Sequence, residues 1–220
     1  MSAFAGLSPL SGLLPLSRLR GDYDLDEWGA DAQLMDAIDG VARLGMRVRV
    51  DGAALLPDIG PAVLVANRRF GAAEPLAVGL GVRRETGRRV RFLGLPDVAP
   101  VGTVLRRLGA AVNRPEELAG LLRAGHLVGI PLAWHPRFGP RRAGNLAPDA
   151  VGPAITLDVP VLPVAVVGGE LSGRWRVFIG EPVRRPTSRG PLALAELADG
   201  ARAGVQALLD EASPPNGLFG

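Results

Sequence analysis

The chain has 220 residues, 47% of them hydrophobic, and a mean hydropathy of +0.21, which predicts a folded chain with a continuous core and excludes a disordered one. Cysteine is absent, which excludes disulfides, thiolate nucleophiles and cysteine-based zinc sites, and with two histidines we expect no resident metal. All 25 basic residues are arginine, whose planar guanidinium binds phosphate or carboxylate, although the net charge is only +3.

Residues 1–21 form an apolar arm that we expect to lie outside the folded domain. Its apolar side chains, such as Phe4 and Leu7, precede Arg18 and Arg20, a pattern that fits contact with an anionic membrane surface. The alternative is that the arm packs back on the domain. No apolar run reaches the roughly 18 residues that cross a bilayer, so we expect a cytoplasmic protein with at most peripheral contact on the inner face of the membrane.

Beyond the arm, apolar runs and their periodicity predict alternating strands and helices. The predicted order is helix 34–44, strand 46–50, strand 61–66, helix 75–80, strand 90–93, helix 101–108, extended segment 109–112, helix 116–124, strand 127–130, helix 149–157, strand 161–167, strand 175–179 and helix 191–212. The acidic residues at 22–31 favour the positive end of the first helix. This alternation predicts a single α/β domain over 22–213, with a mostly parallel or mixed central sheet flanked by helices and a tail at 214–220.

Ligands of such sheets bind beyond the carboxyl ends of the strands. The residues in those positions are Asn67–Arg69, Asn113–Arg114 and the segment 131–137. Arginines that precede a helix N-terminus, as Arg68 and Arg69 do, favour an anionic ligand because the helix offers free N–H groups there. By contrast, we expect the arginines at 83–84 and 88–89 to form a solvated helix end and turn.

Several segments resemble, in order and spacing, the glycerolipid acyltransferases, the lysophosphatidate acyltransferase-like family, over about residues 45–185. The segments are Leu64–Asn67, Arg91–Leu93, Leu105–Ala110, Leu121–Gly125 and Val159–Val166. The segment Tyr23–Gly29 is similar to a soluble bacterial branch of the family. The resemblance implies a glycerol-3-phosphate acyltransferase-like fold. It also implies transfer of an acyl group from acyl-CoA or acyl carrier protein to a lysophospholipid hydroxyl, with no cofactor beyond that co-substrate.

The chain departs from the family where the chemistry resides. The family's histidine, which acts as general base in an H-x4-D motif, falls on Arg68 or Arg69, and the acidic position falls correspondingly on Ala73 or Glu74. A guanidinium, with a pKa above about 12, cannot accept a proton at neutral pH. The family's Pro-Glu-Gly block is Pro131-Leu132-Ala133 here, without carboxylate or glycine. These changes imply a catalytically impaired protein that retains a pocket for a lipid phosphate or acyl-CoA.

Two weak candidates for a replacement base are Glu74 and His135, the latter just beyond a strand end. With either of them the chain would be an active, atypical acyltransferase. The other histidine, His126, begins a strand and is expected at the wrong edge of the sheet.

The predicted substrate-binding residues are Asn67, Arg68, Arg69, Arg114 and Arg137, of which Arg114 matches the family arginine that holds the substrate phosphate. The alternative for Arg68 or Arg69 is an ion pair with Glu74 that closes the pocket. Nucleic acid is not an expected partner, because the arginines are dispersed and aromatic residues make up 5% of the chain.

Overall fold

A central sheet organises the residues that the computed structural model describes, which are 25–68, 73–94, 101–133, 142–169 and 172–212. Within these ranges the sheet has seven strands: β1 (Arg47–Asp51), β2 (Ala62–Ala66), β3 (Val90–Leu93), β4 (Ala110–Ala111), β5 (Leu127–Pro131), β6 (Val161–Gly169) and β7 (Arg174–Ile179). They lie in the order β1-β7-β6-β2-β5-β3-β4. Neighbours are parallel except β6 and β7, which are antiparallel. The mixed sheet predicted from the sequence is confirmed.

Helices cover both faces of this sheet, as predicted. Those described are α1 (Ala32–Gly45), α2 (Ala73–Thr86), α3 (Val101–Arg107), α4 (Pro115–Arg123), α5 (Gly152–Thr156) and α6 (Pro191–Glu211). Helix α2 packs on one face, whereas α4, α5 and α6 pack on the other. The segment predicted as one helix at 149–157 is a 3₁₀ turn, Pro148–Val151, followed by α5. None of the described helices has both the length and the apolarity needed to cross a bilayer.

Strand β2 lies near the middle of the sheet because its sequence is apolar on both sides. All five of its residues are buried, and alternate side chains enter different cores. Val63 and Val65 join the cluster beneath α4 and α6, while Leu64 joins the cluster beneath α2. Parallel neighbours on both sides, β5 and β6, complete its hydrogen bonding.

The acidic segment before α1 is tied to the domain. The Asp31 carboxylate accepts a hydrogen bond from the Leu34 N–H at 3.0 Å and caps α1. Asp26 forms an ion pair with the buried Arg91 on β3. The indole of Trp28 lies over Gly120, where an added Cβ would come within 2.3 Å of the ring. Residues 25–31 are therefore part of the folded structure.

The prediction that the arginines at 83–84 and 88–89 form a solvated end and turn is wrong for three of them. Arg83 binds Asp36 and Asp39 on α1, and Arg89 also binds Asp36, at 2.8 Å. Only Arg84 among the four is exposed, with 70% of its side chain accessible.

Arg88 donates to three backbone carbonyls, those of Pro57 (2.6 Å), Gly60 (2.5 Å) and Gly125 (2.8 Å). These carbonyls come from loops far apart in the sequence. The local pattern of charges could not reveal them, because the tertiary structure brings the loops to one guanidinium.

Candidate functional site

The carboxyl ends of five parallel strands, β2 to β6, share one edge of the sheet, which is where the sequence predicts a site. Three of these ends converge at Gly94, directly after β3. A Cβ added to Gly94 would lie 3.9 Å from the side chains of both Asn113 and Pro131. The structure thus brings together the ends of β3, β4 and β5.

Asn67, the first residue after β2, extends that strand with its side chain. Its Nδ2 donates to the carbonyl of Val166 at 2.9 Å, and its Oδ1 accepts from the N–H of Val166 at 2.6 Å. The amide therefore takes the place of a backbone peptide in the pairing of β2 with β6. Asn67 is only 3% exposed, and these bonds hold the end of β2 in place. Its predicted contact with substrate stays a prediction.

Arg68 follows immediately and is half-buried at the strand end. Arg69 lies outside the described residues, which break off after Arg68. The chain resumes at Ala73, and Glu74 stands in the first turn of α2. Arg68 thus directly follows the residue whose side chain fixes the end of β2.

Glu74 is buried to 1% exposure and takes part in a polar interaction there. Its position in the first turn of α2 suits a carboxylate, since the helix dipole is positive at that end. A general base must come within about 3 Å of the hydroxyl it deprotonates. A substrate can approach this carboxylate only if the residues that cover it move aside.

Arg114 lies at the N-cap of α4 and is exposed. The strand order separates β2 from β4 by three strand spacings, about 14 Å. Arg68 and Arg114 therefore belong to two separated positions along this edge of the sheet. His135 and Arg137 lie outside the described residues, so their predicted roles stay predictions.

The segment Pro131-Leu132-Ala133 continues β5 along the end of β2. The N–H of Leu132 donates to the carbonyl of Ala66 at 2.8 Å, and the Leu132 side chain is 1% exposed in the core. Ala133 pairs with Asn145 through two backbone hydrogen bonds of 2.8 and 3.1 Å. Leu132 is thus a buried apolar side chain at the position where the resembled acyltransferase family has a carboxylate.

His126 lies at the amino end of β5, the opposite edge from these residues, as expected from the sequence. Its backbone N–H donates to the carbonyl of Leu121 at 3.0 Å. Burial, and then the positive charge of Arg91, lower the pKa of His126 below its ordinary value. No group of three or more His, Asp or Glu side chains in the described ranges is arranged to hold a metal ion.

No family model matches the chain. Among solved structures, it is similar to the 1-acyl-sn-glycerophosphate (LPA) acyltransferase, PlsC, from Thermotoga maritima. The TM-score is 0.60 with 19% sequence identity, and the match covers 82% of this chain and 80% of that one. The fold is that of the acyltransferase PlsC.

Similar sequences occur in mycobacteria. An uncharacterized protein of Mycobacterium leprae is 25% identical, with 87% of this chain aligned to 68% of the relative. Uncharacterized proteins of Mycobacterium bovis and Mycobacterium tuberculosis are 23% identical over the same share of this chain and 70% of their own. Because these relatives are uncharacterized, the likeness to PlsC rests on the fold.

One residue at this edge of the acyltransferase fold was missed from the sequence. Glu117 reaches back from α4 to accept a hydrogen bond from the N–H of Val112, and its Oε1 lies 3.5 Å from Nη1 of Arg106. It thereby holds the turn that presents Arg114. The signal was available, because a Glu three residues after a helix N-cap commonly binds backbone N–H groups ahead of the helix.

Proposed function

We propose that this protein is a catalytically impaired member of the acyltransferase fold class that binds a lipid phosphate or acyl-CoA at the carboxyl edge of its sheet. The observation that carries the proposal is the place of Arg68. The amide of Asn67 anchors the end of β2 to Val166, and the next residue is a cation. A guanidinium there attracts an anion and cannot take a proton from a substrate hydroxyl.

The proposed ligand is a phosphate-bearing molecule. Arg68, Arg69, Arg114 and Arg137 follow strand ends in the sequence, and arginine forms strong charge-assisted hydrogen bonds to phosphate. The candidate chemistry is therefore a glycerol phosphate headgroup or the phosphates of acyl-CoA. The similar fold of PlsC, an LPA acyltransferase, supports a lipid ligand.

The competing proposal is an active acyltransferase whose base is Glu74 or His135. Catalysis by Glu74 requires access to a carboxylate that is 1% exposed, which favours the impaired protein. The polar interaction of Glu74 is equally compatible with a structural task at the start of α2.

Two measurements test the proposal. Acyl transfer from acyl-CoA to lysophosphatidate should stay at background for the unmodified protein. Robust turnover that disappears in Glu74→Gln or His135→Ala would establish the active enzyme instead.

Ligand binding is tested separately by calorimetry with glycerol 3-phosphate and with CoA. Arg114→Gln should weaken binding by about 1–3 kcal/mol, the contribution of a hydrogen bond between charged groups. Arg123→Gln, which removes an exposed arginine from the other end of α4, is the matched control and should leave affinity unchanged. Equal losses in the two variants, or no binding of either ligand, would contradict a retained phosphate pocket.

A further inference from the structure

Four arginines form a square on one face of the sheet at its β1 edge. The parallel pairing of β1 with β7 places Arg47 beside Arg174 and Arg49 beside Arg176. Because side chains two residues apart on a strand share a face, all four project to the same side. All four are exposed. We call them the arginine array.

The positive charge of the array exceeds the negative charge of the carboxylates described beside it. Within the described residues, Asp51 is the carboxylate that pairs with it, through Arg176 at 3.0 Å. The guanidinium of Arg176 also lies over the ring of Phe178, 4.6 Å from the ring centre. Like charges directly opposite on neighbouring strands disfavour folding. An anionic partner would remove that repulsion.

The array continues into a larger basic groove. A groove of about 1270 Å³ runs around the edge strand β1 and is lined by the array together with Arg43, Arg83 and Arg84. Of these, Arg83 is neutralised by α1 carboxylates. The aromatic residue of the groove, Trp175, is 2% exposed and offers no ring to an incoming base.

Exposed apolar side chains stand beside this charge. Leu44, three residues before Arg47, is 90% exposed, and Val41 on the same helix is 54% exposed. The carbonyl of Gly45, where α1 ends, packs closely against Gly173 just before β7, so this end of α1 is adjacent to the array. Exposed apolar side chains and the arginine array thus adjoin each other at the beginning of β1.

We infer that the arginine array and the exposed end of α1 form a docking surface for a bilayer of anionic phospholipids. The arginines bind headgroup phosphates, and Leu44 and Val41 enter the interface between headgroups and acyl chains. A nucleic acid fits this surface less well, since single strands are held by exposed aromatic rings and duplexes gain nothing from exposed leucine.

The docking surface lies close to the candidate site. Arg47 and Arg174 are level with Gly169 at the carboxyl end of β6. That end belongs to the same sheet edge as Asn67 and Arg68, so docking brings the candidate site close to the lipid headgroups. The docking surface itself does not depend on acyl transfer.

The test is sedimentation of the full-length protein with vesicles of phosphatidylglycerol or of phosphatidylcholine in about 0.1 M salt. We expect binding to the anionic vesicles alone. Arg47→Gln with Arg174→Gln should weaken it at least tenfold, because one arginine near an anionic surface contributes about a factor of five. The matched control removes two exposed arginines that do not line the groove, Arg123→Gln with Arg184→Gln, and should bind like the unmodified protein.

A second pair of variants tests the apolar part. Leu44→Ser should weaken vesicle binding several-fold, whereas Ile59→Ser, at an equally exposed position (91%), should not. Thermal unfolding of every variant checks that the fold is kept, and relief of repulsion means that the array variant should not melt earlier.

Equal losses in the array and control pairs would overturn the inference in favour of net charge. So would unchanged binding of the array variant, which would assign membrane contact to residues 1–21. Vesicle binding that is unchanged in Leu44→Ser but abolished by competing duplex DNA would overturn the inference in favour of a nucleic acid surface. Acyl transfer is not measured, so failure of the proposed function would leave these results unaffected.

Discussion

The side-chain amide of Asn67 exchanges two hydrogen bonds with the backbone of Val166, a residue 99 positions further along the chain. Replacement Asn67→Leu keeps the volume but leaves the buried N–H and C=O of Val166 without these partners. Each such group costs about 1–3 kcal/mol, so we expect the free energy of unfolding to fall by about 2–6 kcal/mol for the two together. Urea denaturation measures this change.

Asn113→Leu is the control for that variant, since Asn113 also follows a strand but is exposed. Its free energy of unfolding should change by less than about 0.5 kcal/mol. A loss for Asn67→Leu as small as that of the control would mean that the amide is not needed to hold β2 against β6.

The ion pair between Asp26 and Arg91 should stabilise the segment before α1 in a pH-dependent way. Burial opposes ionisation of Asp26, but the N–H of Ala30 and the guanidinium of Arg91 outweigh it and lower the pKa of Asp26 below 3.8. The unfolded chain therefore binds the proton first as the pH falls. The stabilisation is complete above the unfolded pKa and is lost as the pH falls through the folded pKa.

Accordingly, Asp26→Asn should lower the free energy of unfolding by about 1–3 kcal/mol near pH 6, because the buried Arg91 loses its carboxylate. The deficit should shrink as the pH falls below 3.8. Glu27→Gln removes the neighbouring exposed charge and serves as the control. A deficit of the same size at every pH would show that the ion pair does not cause it.

His126 should make the protein less stable in mild acid. Burial lowers the pKa of its imidazole in the folded state, so the unfolded chain takes up this proton at a higher pH than the folded chain does. Stability is therefore full above the unfolded pKa, about 6.5, and falls as the pH decreases toward the folded value. Urea unfolding at pH 7.5 and 5.5 should show a smaller loss for His126→Gln than for the unmodified protein. A loss unaltered by His126→Gln would assign the pH dependence to other groups.

We expect no acyl transfer from variants that place a histidine where the resembled acyltransferase family has one. Arg68→His and Arg69→His are made separately because the alignment allows either position. We expect each to leave acyl transfer near background, since a base alone cannot replace the Glu-Gly pair that is Leu132-Ala133 here, and Leu132 is buried in the core. Radiolabelled acyl-CoA with lysophosphatidate measures the rate. Strong activity in either variant would show that the arginine is the one obstacle to turnover.

The strands at 62–66 and 161–166 could be predicted from the sequence because they are short, apolar runs bounded by Gly or Pro, and burial of such runs is decided by composition. Local signals also predicted the helix after the acidic residues, which is α1, and the helix at 116–124, which the structure has as α4 from Pro115. The ordered motifs indicated the acyltransferase-like fold and located the strand ends at which a site is expected.

The partners of polar side chains were decided only by the tertiary structure. Asn67 meets Val166, Arg88 meets three separate loops, and Arg47 lies beside Arg174, because strand order and register bring together residues that are far apart in the chain. The hydrophobic periodicity of a segment predicts which side chains are buried. The hydrogen-bond partner of a polar side chain depends instead on which strand lies next to its own. For that reason the arginines that bind backbone and the arginines that face solvent look alike in the sequence.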